Sequence, residues 1–227
     1  MKTKKTIRNK TAILLFSVFL VIFSTFSTVY AQQQQTSDES ALSTKFGIKG
    51  GLNLTNLHSN NFADNQLKAG FNAGIFSKIP ITPGFSVQPE LLYSVKGNKS
   101  DYNNFVEGNG QYRFNLGYIE LPVLAVVNLA KNFSIHGGGY AAYLTNANIK
   151  DVNDNGNING ITELNANDFN RWDFGLAGGV AFDIEHVTLG ARYNYGLTDI
   201  AKSGNFSTTV LGSAKNNGLS IYLGFAF

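Results

Sequence analysis

The chain has 227 residues, of which 43% are hydrophobic and only 15% charged, with 18 Phe, 10 Tyr, 24 Gly and no cysteine. Lacking cysteine, it can hold no disulfide framework, no thiolate metal site and no lipidated cysteine anchor. The formal net charge is +3, but Lys2, Lys4, Lys5, Arg8 and Lys10 crowd the first ten positions; without them 13 basic residues face 15 acidic ones, so the balance turns slightly acidic and gives no nucleic-acid signal.

That basic start is followed by an apolar run, Ala12 to Val29, thinned by Ser24, Thr25, Ser27 and Thr28. Val29-Tyr30-Ala31 then supplies a small-x-small pattern before Gln32, which predicts a signal peptide over 1–31. An uncleaved anchor helix is the alternative, and the polar second half of the run argues against it. Gln32 to Gln35, then Thr, Ser, Asp and Glu, predict a disordered leader over 32–44. Residues 45–227 are expected to form one domain.

From Phe46 onward the pattern has period two, the signature of strands with unlike faces. Phe46, Ile48, Gly50, Leu52 and Leu54 alternate with Gly47, Lys49, Gly51 and Asn53; Leu67, Ala69, Phe71, Ala73 and Ile75 alternate with Lys68, Gly70, Asn72 and Gly74. A turn over 80–84 leads to Phe85, Val87, Pro89, Leu91, Tyr93 and Val95, opposed by Ser86, Gln88, Glu90, Leu92, Ser94 and Lys96. The fourth segment puts Ile119 to Leu129 (odd positions) on one face, with Tyr118, Glu120 and Asn128 opposite; Phe114 and Leu116 fall out of phase, which predicts a bulge near Gly117. Phe133 to Tyr143, Trp172 to Ile184, Val187 to Tyr195 and Leu219 to Phe227 complete eight strands.

Connections at 80–84, 130–132 and 185–186 are tight, whereas 56–66, 97–112, 145–170 and 198–215 are long and polar. Eight amphipathic strands with short turns at one end and long loops at the other predict an all-β, eight-stranded antiparallel transmembrane β-barrel of the OmpA/OmpX size. Its termini would be periplasmic and its long loops extracellular. Phe46, Phe85, Phe133, Phe182 and Phe227 would mark one membrane boundary, and Tyr93, Tyr143, Trp172 and Tyr195 the other. A soluble barrel with its apolar face inward is the structural rival. The many aromatics on the apolar face are too bulky for a narrow lumen, and the opposite face is rich in glycine, as a crowded interior requires.

Several stretches carry a family resemblance: Gly47 to Asn53, Gln88-Pro89-Glu90-Leu91, Tyr118-Ile-Glu-Leu-Pro122, the run from Phe174 to Ile184 and the end from Gly218 to Phe227. Over 45–227 the chain resembles the PorT-like, porin-family outer-membrane β-barrel proteins. The resemblance implies an outer-membrane location and names a fold family, not an activity; it also raises the possibility of an accessory role in a protein-secretion apparatus.

The expected lumen set is Lys49, Lys68, Asn72, Gln88, Glu90, Lys96, Glu120, Asp173, Asp183, Arg192 and Asn194. In so narrow a barrel, opposite charges should pair and plug the lumen rather than line a gated pore. Ser134 and His136 share a face, with Glu120 on the adjacent strand, but three residue types at such positions do not make a hydrolase when they face away from lipid substrates. His58 and His186 have no evident partners, so neither enzyme activity nor an organic cofactor is expected. Asp151, Asn153 and Asn155, with Gly156, match the first half of a calcium loop, although the acid expected at the twelfth position comes one residue late, at Glu163. Three roles stay open: a structural or recognition barrel meeting partners through its loops, a narrow channel, or a secretion accessory.

Overall fold

The computed structural model describes residues 42–58, 67–104, 108–153, 158–202 and 214–227; the expected signal peptide and most of the leader lie outside them. Nine strands are present among these residues: β1 (Lys45–His58), β2 (Lys68–Thr82), β3 (Phe85–Asn104), β4 (Gly108–Ala130), β5 (Phe133–Asn153), β6 (Ile158–Glu163), β7 (Trp172–Ile184), β8 (Val187–Asp199) and β9 (Lys215–Ala226). All pairings between them are antiparallel.

Eight strands close a ring. β1 pairs with β2, the chain then pairs successively through β5, β5 pairs with β7, and β9 returns to β1 with Ile48 opposite Phe225. Closure satisfies the edge N–H and C=O groups that an open sheet would expose. The ring is also tied at Phe46 and Phe227, whose backbone groups exchange hydrogen bonds of 2.8 and 3.4 Å.

The expected faces are the observed ones. Leu52 (67% exposed) and Leu223 (58%) stand with Ile48, Phe71, Ile75 and Leu176 on the outer surface, while Lys49, Asn72, Glu90 and Arg192 are buried inside. The soluble rival required the reverse. On the outer surface Tyr93, Ile119, Tyr143 and Trp172 stand opposite one another in a single row across β3, β4, β5 and β7. Tyr143 meets Trp172 edge-on with ring centres 5.2 Å apart.

The tight connections are at Pro83-Gly84, Lys131-Asn132 and Glu185-His186; β2 runs on through Thr82, so the first turn is shorter than its composition suggests. At the other end the structure departs from expectation. The stretch 97–112 is largely not loop, because β3 and β4 stay paired out to Asn104 and Gly108. The stretch 145–170 contains the far half of β5, the added strand β6 and a short 3-10 turn, Ala166–Asp168. β3, β4, β5 and β6 thus continue past the ring as a four-stranded sheet. Gly97 marks the departure: its φ of +150° suits glycine, and the Thr55 hydroxyl both accepts from its N–H (3.0 Å) and donates to its C=O (2.9 Å).

The bulge predicted near Gly117 lies opposite it. Gly117 faces Asn146 and Tyr118 faces Leu144, which leaves Thr145 of β5 as the extra residue. Leu116 is not out of register: it is buried on the lumen side with Tyr118. With Leu124, Tyr140, Ala142, Leu144 and Ala177 these form an apolar cluster inside the barrel, joined by Phe169, Ile200, Ala201 and Ala214 from the loop end. Phe169 bridges to Ala201, and Asn170 Nδ2 donates to Asp199 O at 2.7 Å, which fastens the two loop segments together.

Candidate functional site

The lumen is where the polar residues converge, and two charge clusters fill it. In the first, Arg192 Nη1 and Nη2 donate to the two oxygens of Glu90 at 2.7 and 2.8 Å, a bidentate pair. Lys49 Nζ donates to the same carboxylate at 3.0 Å, and Gln88 Nε2 at 2.7 Å. Lys49 also sits 3.5 Å above the Tyr222 ring centre. In the second, Lys96 Nζ is 2.6 Å from Glu120 Oε2 and 4.0 Å from Asp173 Oδ2, over the ring of Tyr140. Asn216 Nδ2 donates to Asp173 Oδ2 at 2.9 Å and to the Tyr118 hydroxyl at 3.1 Å.

A third, neutral set joins β1, β2, β3 and β9. Asn72 Nδ2 donates to Asn53 Oδ1 (2.6 Å) and Ser220 Oγ (2.9 Å), and Asn53 Nδ2 donates to Ser94 Oγ at 3.1 Å. Beside it a cavity of about 10 Å³ is lined by Asn53, Lys96, Asn194, Asn216 and Ser220, room for about one water. Towards the tight turns, Lys78 pairs with Asp183 at 3.2 Å, Thr188 donates to Asp183, and the Phe76 ring lies against Gly47 and Gly224.

Glycines make this filling possible. A Cβ at Gly175 would strike Tyr140, one at Gly190 would strike Tyr222, and one at Gly47 would strike Phe76. Each bulky inward side chain thus occupies space that a facing strand leaves free.

Of the expected lumen set, Lys49, Gln88, Glu90 and Arg192 come together, as do Lys96, Glu120 and Asp173; Asn72 joins Asn53, and Asp183 joins Lys78 near the turns. Lys68 is buried apart from them at the start of β2. Sequence reasoning missed Asn53, Ser220, Asn216 and Lys78 as partners, although the first two carry the inward phase of their strands. Ser134, His136 and Glu120 are all buried but differently engaged: Glu120 pairs with Lys96, and His136 Nε2 accepts from Arg192 Nε at 3.2 Å. The His186 ring lies 3.1 Å from Ala226 O, and the side chain of His58 lies outside the described residues. Asp151 and Asn153 lie at the end of β5, Asp151 opposite Gly160 of β6, and Asn155 lies outside the described residues.

Compared with curated proteins by sequence, the chain matches none. Among solved structures it is similar to Ail, the attachment invasion locus protein of Yersinia pestis, in complex with the heparin analogue sucrose octasulfate, at 13% identity and TM-score 0.47, covering 82% of this chain and 99% of that one. It is similar to Neisserial surface protein A at 14% identity and TM-score 0.46, covering 80% and 97%. For the outer membrane protein OprG of Pseudomonas aeruginosa the values are 16% and 0.39, covering 82% and 96%. The family profile described as the outer membrane protein beta-barrel domain matches residues 30–202, most of the chain. The closed ring of eight strands is a barrel, and the chain belongs to the outer membrane protein beta-barrel domain family.

Proposed function

We propose that this outer-membrane barrel is a closed scaffold whose loop end, facing the exterior, recognises a partner, and that it neither conducts freely nor catalyses a reaction. The observation behind this reading is the Arg192–Glu90–Lys49 cluster. It spans the lumen with charge-assisted hydrogen bonds between side chains that are almost wholly buried. Opening a path there would strip partners from buried charges, which is strongly unfavourable. Rigid barrels that present irregular segments at one end are suited to binding. Export through removal of residues 1–31 belongs to the same reading, and the mass of the protein recovered from outer membranes tests it.

Single-channel recording in planar bilayers decides between scaffold and channel. The expected trace is silent; large, stable steps would establish the channel. The resemblance carried by Gln88 to Leu91 and Tyr118 to Pro122 favours a second reading, a PorT-like accessory role in secretion. Co-purification from outer membranes separates the two: secretion components would accompany the tagged barrel in the second case, whereas trimming the β3–β4 hairpin would remove a surface partner in the first.

A further inference from the structure

The four-stranded sheet at the loop end carries a row of like charges. Lys99 stands opposite Arg113, and Arg113 opposite Lys150, so three cations face one another across β3, β4 and β5. Directly opposed residues share a face with Cβ atoms about 4.5–5.5 Å apart, and like charges so placed are destabilising. Lys68 adds a fourth cation. It is only 5% exposed, its side chain runs past Gly97 (a Cβ there would lie 3.3 Å from Lys68 Cδ), and its charge is repelled by both Lys150 and Arg113.

Among the described residues, no ion pair joins this row to a carboxylate. Arg113 Nη2 donates to the neutral Gln111 at 3.3 Å. Glu163 occupies the diagonal position from Lys150, opposite Asn148, yet among the described residues none of the four cations is ion-paired with a carboxylate. The lumen is the contrast: buried Lys49, Lys96 and Arg192 are matched in number by Glu90, Glu120 and Asp173.

We propose that Lys68, Lys99, Arg113 and Lys150 form a binding site for a phosphate-type oxyanion at the exterior mouth of the barrel. A guanidinium fork with flanking ammonium groups matches a multiply charged tetrahedral anion, and its binding relieves the repulsion within the row. A phosphorylated solute and the phosphate of a lipid headgroup present the same chemistry. The proposal rests on the recognition reading only in taking the loop end as the binding end; a barrel that conducted and still bound phosphate here would overturn that reading and leave this one standing.

The test is calorimetry with inorganic pyrophosphate on the full folded barrel in a zwitterionic detergent at low ionic strength. Wild type should bind, and the affinity should fall as salt is added. Arg113→Gln and Lys150→Gln should each weaken binding about tenfold, the loss of one charge-assisted contact, while Lys131→Gln at the tight-turn end should change nothing. A second readout stands apart from binding: without anion, Arg113→Gln should unfold at a higher temperature than wild type, because it removes repulsion. Repeating the titration in phosphatidylcholine vesicles with and without phosphatidic acid identifies the source. Competition by phosphatidic acid assigns the site to lipid phosphate, and its lack assigns it to a soluble one. Failure of wild type to bind, or equal binding by Arg113→Gln, Lys150→Gln and wild type, overturns the proposal.

Discussion

Arg192 of β8 holds Glu90 of β3 by both ends of its guanidinium, across the lumen from strands that share no ladder, and each residue is only 3% exposed. Glu90 is the hub, because Lys49 reaches the same carboxylate. Glu90→Gln should leave two buried cations side by side and destabilise the barrel by about 3–5 kcal/mol. Replacing Lys49, Glu90 and Arg192 together with apolar residues of similar volume should restore much of that loss. Denaturant titration of the refolded barrel, followed by gel migration without heating, measures both. A single variant as stable as wild type would show that the cluster is not the clasp it resembles.

Glycine on the lumen face should be intolerant where an aromatic ring fills its space. Gly190→Ala places a methyl group in the Tyr222 ring and should cost about 1–3 kcal/mol by overpacking. Gly178, three rows away on the outer face, has no atom nearer than 3.9 Å to an added Cβ, so Gly178→Ala should be neutral. Pairing Gly190→Ala with Tyr222→Leu should recover part of the loss, a coupling that a double-mutant cycle reads directly.

Trp172 is the single tryptophan in the chain and stands 46% exposed in the outer aromatic row. Its fluorescence should shift to the blue when the barrel enters vesicles, and quenchers attached near the headgroup should dim it more than quenchers at the acyl end. The opposite order of quenching would place the row at mid-bilayer and displace the proposed membrane boundary.

Calcium should bind weakly where Asp151 and Asn153 end β5, through these two and Asn155. One carboxylate and two amides supply little charge, so a dissociation constant of about 10⁻⁴–10⁻³ M is expected. Calorimetry at millimolar calcium should lose its signal in Asp151→Ala. Identical traces for the variant and wild type would reduce the segment to a hairpin tip.

Facing was legible in the sequence, and height was not. Period two reports which side of a sheet a residue takes, so Lys49, Glu90 and Arg192 could be assigned to the lumen before any coordinates. It does not report how far the strands are staggered around the ring. That stagger decides that Arg192 meets Glu90 while Lys96 meets Glu120. The lipid-driven contrast between faces also stops at the membrane boundary. Beyond it, Asn98 to Asn104 and Gly108 to Tyr112 read as loop by composition although they pair as strands. Leu116 misled for a related reason: an apolar side chain on the lumen face is unexpected only if the lumen is wholly polar, and here its upper part is packed with Tyr118, Leu124 and Tyr140. The hairpin with β6 carried no period of its own, its six residues all being exposed.

The ladder that joins β1 to β9 sets an order of events for the newly made chain. β1 offers one edge to β2 soon after synthesis, but its other edge waits for residues 215–226, the last ladder in the chain. Until that segment arrives, every partial sheet from β1 onward has two open edges, and hydrocarbon would leave their N–H and C=O groups without partners. Non-local pairing of this kind is also slow. The arc must therefore be sheltered in water or by a helper until the last strand docks, and insertion and closure become one step.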